Sequence, residues 1–182
     1  MGTAAPPLDP ACRGPHPGAM PPPPASPWIG LIADTHGLLR PRALDALAGC
    51  ERIIHAGDIG SRNGEERGIL AALGEIAPVI AVRGNNDRAG WAEAIPHSAR
   101  LDWNGLRIHV LHILGELTPE AAAGARVVVS GHSHKPLVEY RKQVLYVNPG
   151  SAGPRRFRLP VSVGRLWRED GEARAEIVAL EE

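Results

Sequence analysis

Val127-Val128-Val129-Ser130-Gly131-His132-Ser133-His134-Lys135-Pro136 is the stretch from which the rest of the chain can be read. Three consecutive β-branched apolar residues predict a strand buried on both faces. Gly131 lets the backbone turn sharply at its end. Two histidines follow, one residue apart, before Pro136 closes the segment. Imidazole is the commonest metal ligand among side chains, and a rigid strand delivering two of them at its carboxyl end makes a good anchor. The pair alone is a weak signal, and two solvated loop histidines are the plainer reading. The question is settled by what the other strand ends carry.

Working outward, residues 28–33 read as the first strand and run into Asp34-Thr35-His36-Gly37, with the i, i+2 spacing of the histidine pair. Residues 41–50 place apolar side chains at helical spacing, with Pro41 in the first turn. Residues 52–56 form a second strand that stops at Gly57-Asp58. A helix is expected near 65–73 and a third strand over 78–82, which runs into Arg83-Gly84-Asn85-Asn86-Asp87. This alternation of strand and helix is the pattern of an α/β domain. Residues 98–103 and 106–111 flank Asn104-Gly105, a strong two-residue hairpin turn, and the second of these strands ends at His112. A short helix is expected over 118–124. Strands over 137–141, 144–147, 158–168 and 173–180 make the last third mostly β, with Asn148-Pro149-Gly150-Ser151 between them.

Composition narrows the function classes. The 182 residues are 43% hydrophobic and 22% charged with no net charge, as expected of one globular domain without a nucleic-acid or membrane surface. No apolar run is long enough to span a bilayer, and no signal-peptide core is present. Two cysteines, Cys12 and Cys50, are too few for a disulfide framework, so a cytoplasmic location is expected. Residues 1–27 hold ten of the 18 prolines and read as a disordered tail. The folded domain is expected over 28–182, enough chain to bury ~70% of its unfolded surface.

The strand ends therefore carry Asp34, His36, Asp58, Asn85, His112, His132 and His134. The intervals between successive ends are 22, 27, 27 and 20 residues, each long enough for one strand and its connection. Such spacing returns the residues to one sheet edge, where open α/β sheets bind ligands. Seven oxygen and nitrogen donors exceed what one ion needs. A metal pair ~3.5–4 Å apart, sharing a carboxylate, would use them and would suit displacement at phosphorus. Imidazole, carboxylate and amide without thiolate fit Mn, Fe or Zn better than Mg or Ca.

The ordered motifs Asp34-Thr35-His36, Gly57-Asp58, Gly84-Asn85-Asn86-Asp87, His112, Gly131-His132-Ser133-His134 and Asn148-Pro149-Gly150-Ser151 resemble those of the calcineurin-like metallophosphoesterase superfamily. The resemblance runs from Trp28 to about Arg156. It is greatest to the small bacterial phosphodiesterase branch, related to the retromer scaffold subunit of eukaryotes. It implies an α/β fold, a four-layer α/β/β/α sandwich of two mixed sheets with the metal site at strand carboxyl ends. It also implies two divalent ions, manganese expected and iron, zinc or nickel as alternatives. Asp34, His36, Asp58 and His134 would hold one ion; Asp58, Asn85, His112 and His132 the other, with Asp58 bridging. A bridging hydroxide would attack the phosphorus of a small soluble phosphodiester. Asp58, Asn85 and His132 are the expected catalytic residues, and Asn86, Asn148 and Ser151 the expected substrate contacts. The alternative is a protein-binding scaffold with a vestigial site. Relatives form dimers and tetramers, which leaves a homo-oligomer open.

Two positions depart from the family pattern. Asn86 stands where many relatives carry a histidine able to protonate the leaving group, and an amide is no general acid. Ile113 stands where glycine commonly follows the strand-end histidine, with His109 as the fallback ligand on the opposite strand parity. Elsewhere, His55 reads first as a satisfied core histidine and second as a support for the site. Asp87 fits a turn role or the orientation of Asn86 or a loop amide. Arg83, Arg155 and Arg156 fit either phosphate binding or solvated surface. Trp91 and Trp103 read as core.

Overall fold

Side chains of the first strand alternate between two cores. In β1 (Trp28–Ile32), Trp28 and Ile32 enter one apolar cluster, while Ile29 and Leu31 enter another. A strand's two-residue period requires this. Gly30 lets α1 (Pro41–Leu47) approach, since a Cβ there would lie 2.6 Å from the Leu47 side chain. The computed structural model describes residues 20–61, 63, 65–88, 90–156 and 158–180.

In chain order the further strands are β2 (Arg52–His55), β3 (Val79–Ala81), β4 (Ser98–Trp103), β5 (Leu106–Leu111), β6 (Val127–Val129), β7 (Leu137–Arg141), β8 (Val144–Asn148), β9 (Ser162–Glu169) and β10 (Glu172–Ala179). They form two mixed five-stranded sheets, ordered β10-β9-β1-β2-β3 and β4-β5-β6-β8-β7. The parallel strands are β1, β2 and β3 in the first and β5, β6 and β8 in the second.

Helices α1 and α2 (Ile69–Gly74) cover the outer face of the first sheet through Ala43, Ala46, Leu47, Ile69 and Leu73. Between the sheets, Ile29, Leu31, Ile54 and Leu166 meet Ile108, Val110, Val127, Val129 and Val147. On the far side, Arg100 of β4 donates to the carbonyls of Glu120 and Ala121 at 3.3 and 3.2 Å, tying α3 (Pro119–Ala122) to the second sheet. This is the expected four-layer α/β/β/α sandwich, its last layer reduced to one helical turn.

The hairpin forms as the sequence predicts, with positive φ at both Asn104 and Gly105 as a type I′ turn demands. Several boundaries shift by a few residues, and two element starts shift most. Helix α2 starts at Ile69 rather than near 65, because Arg67 and Gly68 both hold left-handed backbone, which no helix interior accepts. Strand β9 starts at Ser162 rather than 158. Trp103 is core, as expected, and its indole N–H donates to Glu51 at 3.1 Å. Trp91 packs against the helix-side core.

Residues 1–19 of the expected tail lie outside the described residues. The segment 20–27 rests on the first sheet. Met20 packs on the helix-side core, and buried Arg165 donates to the carbonyls of Pro21 and Pro22 at 3.0 and 3.1 Å. Among the described residues, no helix is long and apolar enough to cross a membrane.

Candidate metal centre

The carboxyl ends of all six parallel strands point to one edge of the sandwich. Asp34 and His36 follow β1, Asp58 follows β2, Asn85 follows β3, His112 follows β5, and His132 and His134 follow β6. The loop after β8 closes the group, since the Ser151 hydroxyl donates to the Asp34 carbonyl at 2.9 Å.

Backbone conformation aims these side chains. Asp34, His36, Asp58, His132 and His134 all have φ between 46 and 66°, in the left-handed region. Asp and His tolerate that region better than most residues, yet it remains strained. The strain is held by ties between loops. Asp34 N–H donates to Gly57 O at 3.0 Å and His36 N–H to Asp58 O at 2.9 Å. Gly131 N–H donates to His112 O at 3.0 Å, which joins the two strand ends of the second sheet. Gly84 permits the closest approach: a Cβ there would sit 2.1 Å from Asp58 Oδ1.

All seven side chains converge. His36 and His134 stack with ring centroids 5.1 Å apart and their Nε2 atoms 3.3 Å apart. Asp34 Oδ1 lies 3.4 Å from His134 Nε2. Asp58 reaches both halves of the cluster, with Oδ2 3.8 Å from His36 Nε2 and Oδ1 3.4 Å from His112 Nε2. On the other side, Asn85 Oδ1 lies 2.9 Å from His132 Nδ1 and 3.1 Å from His112 Nε2. Among the described residues, two groups of carboxylates and imidazoles have ligand atoms close enough to hold an ion, Asp34–His36–His134 and Asp34–Asp58–His112.

The donor set fits cations. Among the described residues, the buried side-chain polar atoms without a hydrogen-bond partner are both Asp34 carboxylate oxygens and the Nδ1 atoms of His36 and His134. An unpaired buried carboxylate is costly unless a positive charge meets it. Burial, with the nearby Asp58 charge adding to it, pushes the Asp34 carboxyl up to about 7 in the metal-free chain, while His112 opposes the shift. Burial also works against Asp58, but hydrogen bonds from His112 and Asn86 outweigh it and hold this carboxyl well below the usual range. Burial lowers His36 and lowers His134 to about 4, which leaves both imidazoles in the neutral, ligating form. His112 places Nδ1 2.7 Å from the Ala56 carbonyl, so Nδ1–H donates there. Burial opposes its protonation, but the hydrogen bond to Asp58 and that carboxylate's charge raise this imidazole in the metal-free chain, and a cation would take the place of the Nε2 proton.

The other expected residues are arranged differently. Asn86 serves Asp58: its backbone N–H donates to Oδ1 at 2.9 Å and its amide to Oδ2 at 2.6 Å. Asn148 and Ser151 are buried at 5% and 3% exposure and both tie loops together, and Asn148 also borders the cleft beside His132. The Asn148 amide donates to Gly131 O at 2.7 Å and to Ser133 Oγ at 3.1 Å, and so pins the histidine loop. His109 turns away toward Arg100, whose Nε donates to its Nδ1 at 3.4 Å. Arg83 donates to His97 at 3.1 Å, whereas Arg156 reaches the site, with Nη2 3.4 Å from His36 Nε2.

Three supports are stronger than the sequence indicates. Asp87 accepts from Ile59, Gly60 and Gly84 N–H at 3.1, 2.9 and 2.7 Å, so it locks the Asp58 loop to the Asn85 loop. His55 accepts from Gly57 N–H at 3.2 Å, which puts its proton on Nε2, 3.0 Å from Thr35 Oγ1. The Thr35 hydroxyl in turn donates to Ile59 O at 3.0 Å. His55 is thus a satisfied core histidine that also joins the loops bearing Asp34 and Asp58. Burial drops it to about 3 and keeps it neutral.

Comparison with known proteins places this geometry. Residues 28–171 match the calcineurin-like phosphoesterase superfamily domain. A probable metallophosphoesterase of Methanothermobacter thermautotrophicus is 35% identical over 159 residues, 79% of this chain and 87% of that protein. The phosphodiesterase YfcE of Escherichia coli K12 is 31% identical over 161 residues, 75% of this chain and 85% of that protein. In structure, vacuolar protein sorting 29 of Cryptosporidium parvum superposes with a TM-score of 0.63 at 18% identity, covering 86% of this chain and 98% of that one.

Proposed function

Because the chain belongs to the calcineurin-like phosphoesterase superfamily and shares the fold of vacuolar protein sorting 29, we propose that it is a dinuclear metal-dependent phosphodiesterase acting on a small phosphodiester. The observation that carries this reading is Asp34, a fully buried carboxylate whose two oxygens lack a hydrogen-bond partner while three imidazole nitrogens and Asp58 surround it. Asp34, His36, Asp58 and His134 hold one cation; Asp58, Asn85, His112 and His132 hold the other. Manganese is the expected ion, with iron, zinc and nickel as alternatives. When bound, the pair supplies Lewis acidity and a water whose pKa falls toward ~7.

The chain's own residues set the rest. His112 is oriented by the Ala56 carbonyl and Asp58 by Asn86. Arg156, at the edge of His36, is placed to donate to a non-bridging phosphoryl oxygen. The Asn86 amide is too weak an acid to protonate a leaving group, so esters whose leaving group departs as a stable anion are the preferred substrates.

The test is metal analysis of the purified chain beside hydrolysis of bis-p-nitrophenyl phosphate with added Mn²⁺, compared with Asp58→Ala. Metal-dependent turnover that the variant loses is expected. Metal binding without turnover on any diester would instead favour a protein-binding scaffold, the reading that the likeness to vacuolar protein sorting 29 keeps in view.

A further inference from the structure

A cleft of about 420 Å³ opens directly beside His132. It falls within the ~300–1,000 Å³ of small-molecule pockets. Its apolar lining is Ile113 and Leu114, the two residues that follow His112, and Leu137 at the start of β7. All three are only partly covered by the protein, and leaving such side chains in water forgoes their burial energy. Ile113 adds a side chain where the family pattern has glycine.

The charges along the cleft narrow its ligand. No carboxylate lines it among the described residues. Of its cations, Arg141 already pairs with Glu139 at 2.8 Å and stacks 4.8 Å over the Tyr146 ring. Lys135 stands exposed. The cleft therefore suits a neutral apolar body rather than a polyanion such as a nucleic-acid strand, whose successive phosphates would need several free cations. His132 is shared by the cleft and the metal centre, so a ligand with its phosphoryl head at the centre directs its substituent between Ile113, Leu114 and Leu137.

We propose that this cleft is the substrate-group pocket, and that it selects phosphoesters carrying a ring-sized apolar substituent. The proposal rests on the function above and names the substrate class of that site. The experiment is calorimetric titration of the Mn²⁺-loaded full chain with phenylphosphonate and with methylphosphonate, which share the head and differ in the apolar group. The phenyl compound should bind about tenfold tighter, since burying a ring-sized group is worth at least that factor. Leu137→Trp, which fills the cleft, should bring the two affinities within about twofold by removing that burial, with methylphosphonate binding unchanged. Leu114→Ala should lower the ratio in the same direction and guards against misfolding of the first variant. Equal affinities in the wild type, or a ratio that neither variant changes, would overturn the assignment. Phenyl-selective binding without diester turnover would sink the function and leave the cleft assigned. Binding of neither would overturn both.

Discussion

Replacing Asp34 with asparagine should stabilise the metal-free protein and abolish its stabilisation by metal. The substitution keeps shape and tolerates the left-handed backbone at φ 53°, so it isolates the charge. Burial, the main cause, carries the carboxyl from its ordinary 3.8 to about 7. The folded chain therefore holds that proton more tightly than the unfolded chain. Asp34's contribution worsens as pH rises from about 4 to about 7 and is constant above. At ~1.4 kcal/mol per pH unit, the ionised side chain costs the metal-free fold about 4 kcal/mol at pH 8. Asparagine removes that cost but leaves an amide without partners, about 1–3 kcal/mol, for a net gain of about 1–3 kcal/mol. At pH 5 the carboxyl is mostly protonated and the gain should vanish. Burial lowers His36, His55 and His134, and these act in the opposite sense over an overlapping range. The quantity to read is thus the difference between variant and wild type. Urea unfolding in excess chelator at pH 8 and pH 5 measures it, and added Mn²⁺ should then raise the wild type alone. A variant no more stable than wild type at pH 8 in chelator would refute the reasoning.

Gly84→Ala should displace Asp58, because the new Cβ would meet the Asp58 backbone nitrogen at 2.2 Å; metal stoichiometry by elemental analysis should drop below that of the wild type. Thr35→Val should leave His55 Nε2–H unpaired in the core, while the Ile59 carbonyl keeps the Gly37 N–H; the cost is about 1–3 kcal/mol, read as a fall in melting temperature of about 2–10 °C. With Asn86 committed to Asp58, aryl phosphodiesters should be cleaved far faster than alkyl ones; equal rates would require a proton donor elsewhere.

Sequence alone pointed to seven donor residues at strand ends and to the sandwich that gathers them. Each donor lies just past a buried apolar run, so its place at a strand end follows from local pattern and from connection length. The same holds for the Asn104-Gly105 hairpin, whose turn residues dictate their own backbone. Partnership was decided only by the tertiary structure. Asn86 holds Asp58 across 28 positions, Asp87 binds the loop at Ile59 and Gly60, Arg156 reaches His36 across 120 positions, and the Asn148 amide ties down the histidine loop. The left-handed backbone at five of the donors and the cleft behind His132 belong to the same class. The reason is one of range: strand and turn follow from neighbours a few residues apart. Which polar atom pairs with which, and which donors keep no partner except a cation, depends on loops that meet only after both sheets have packed.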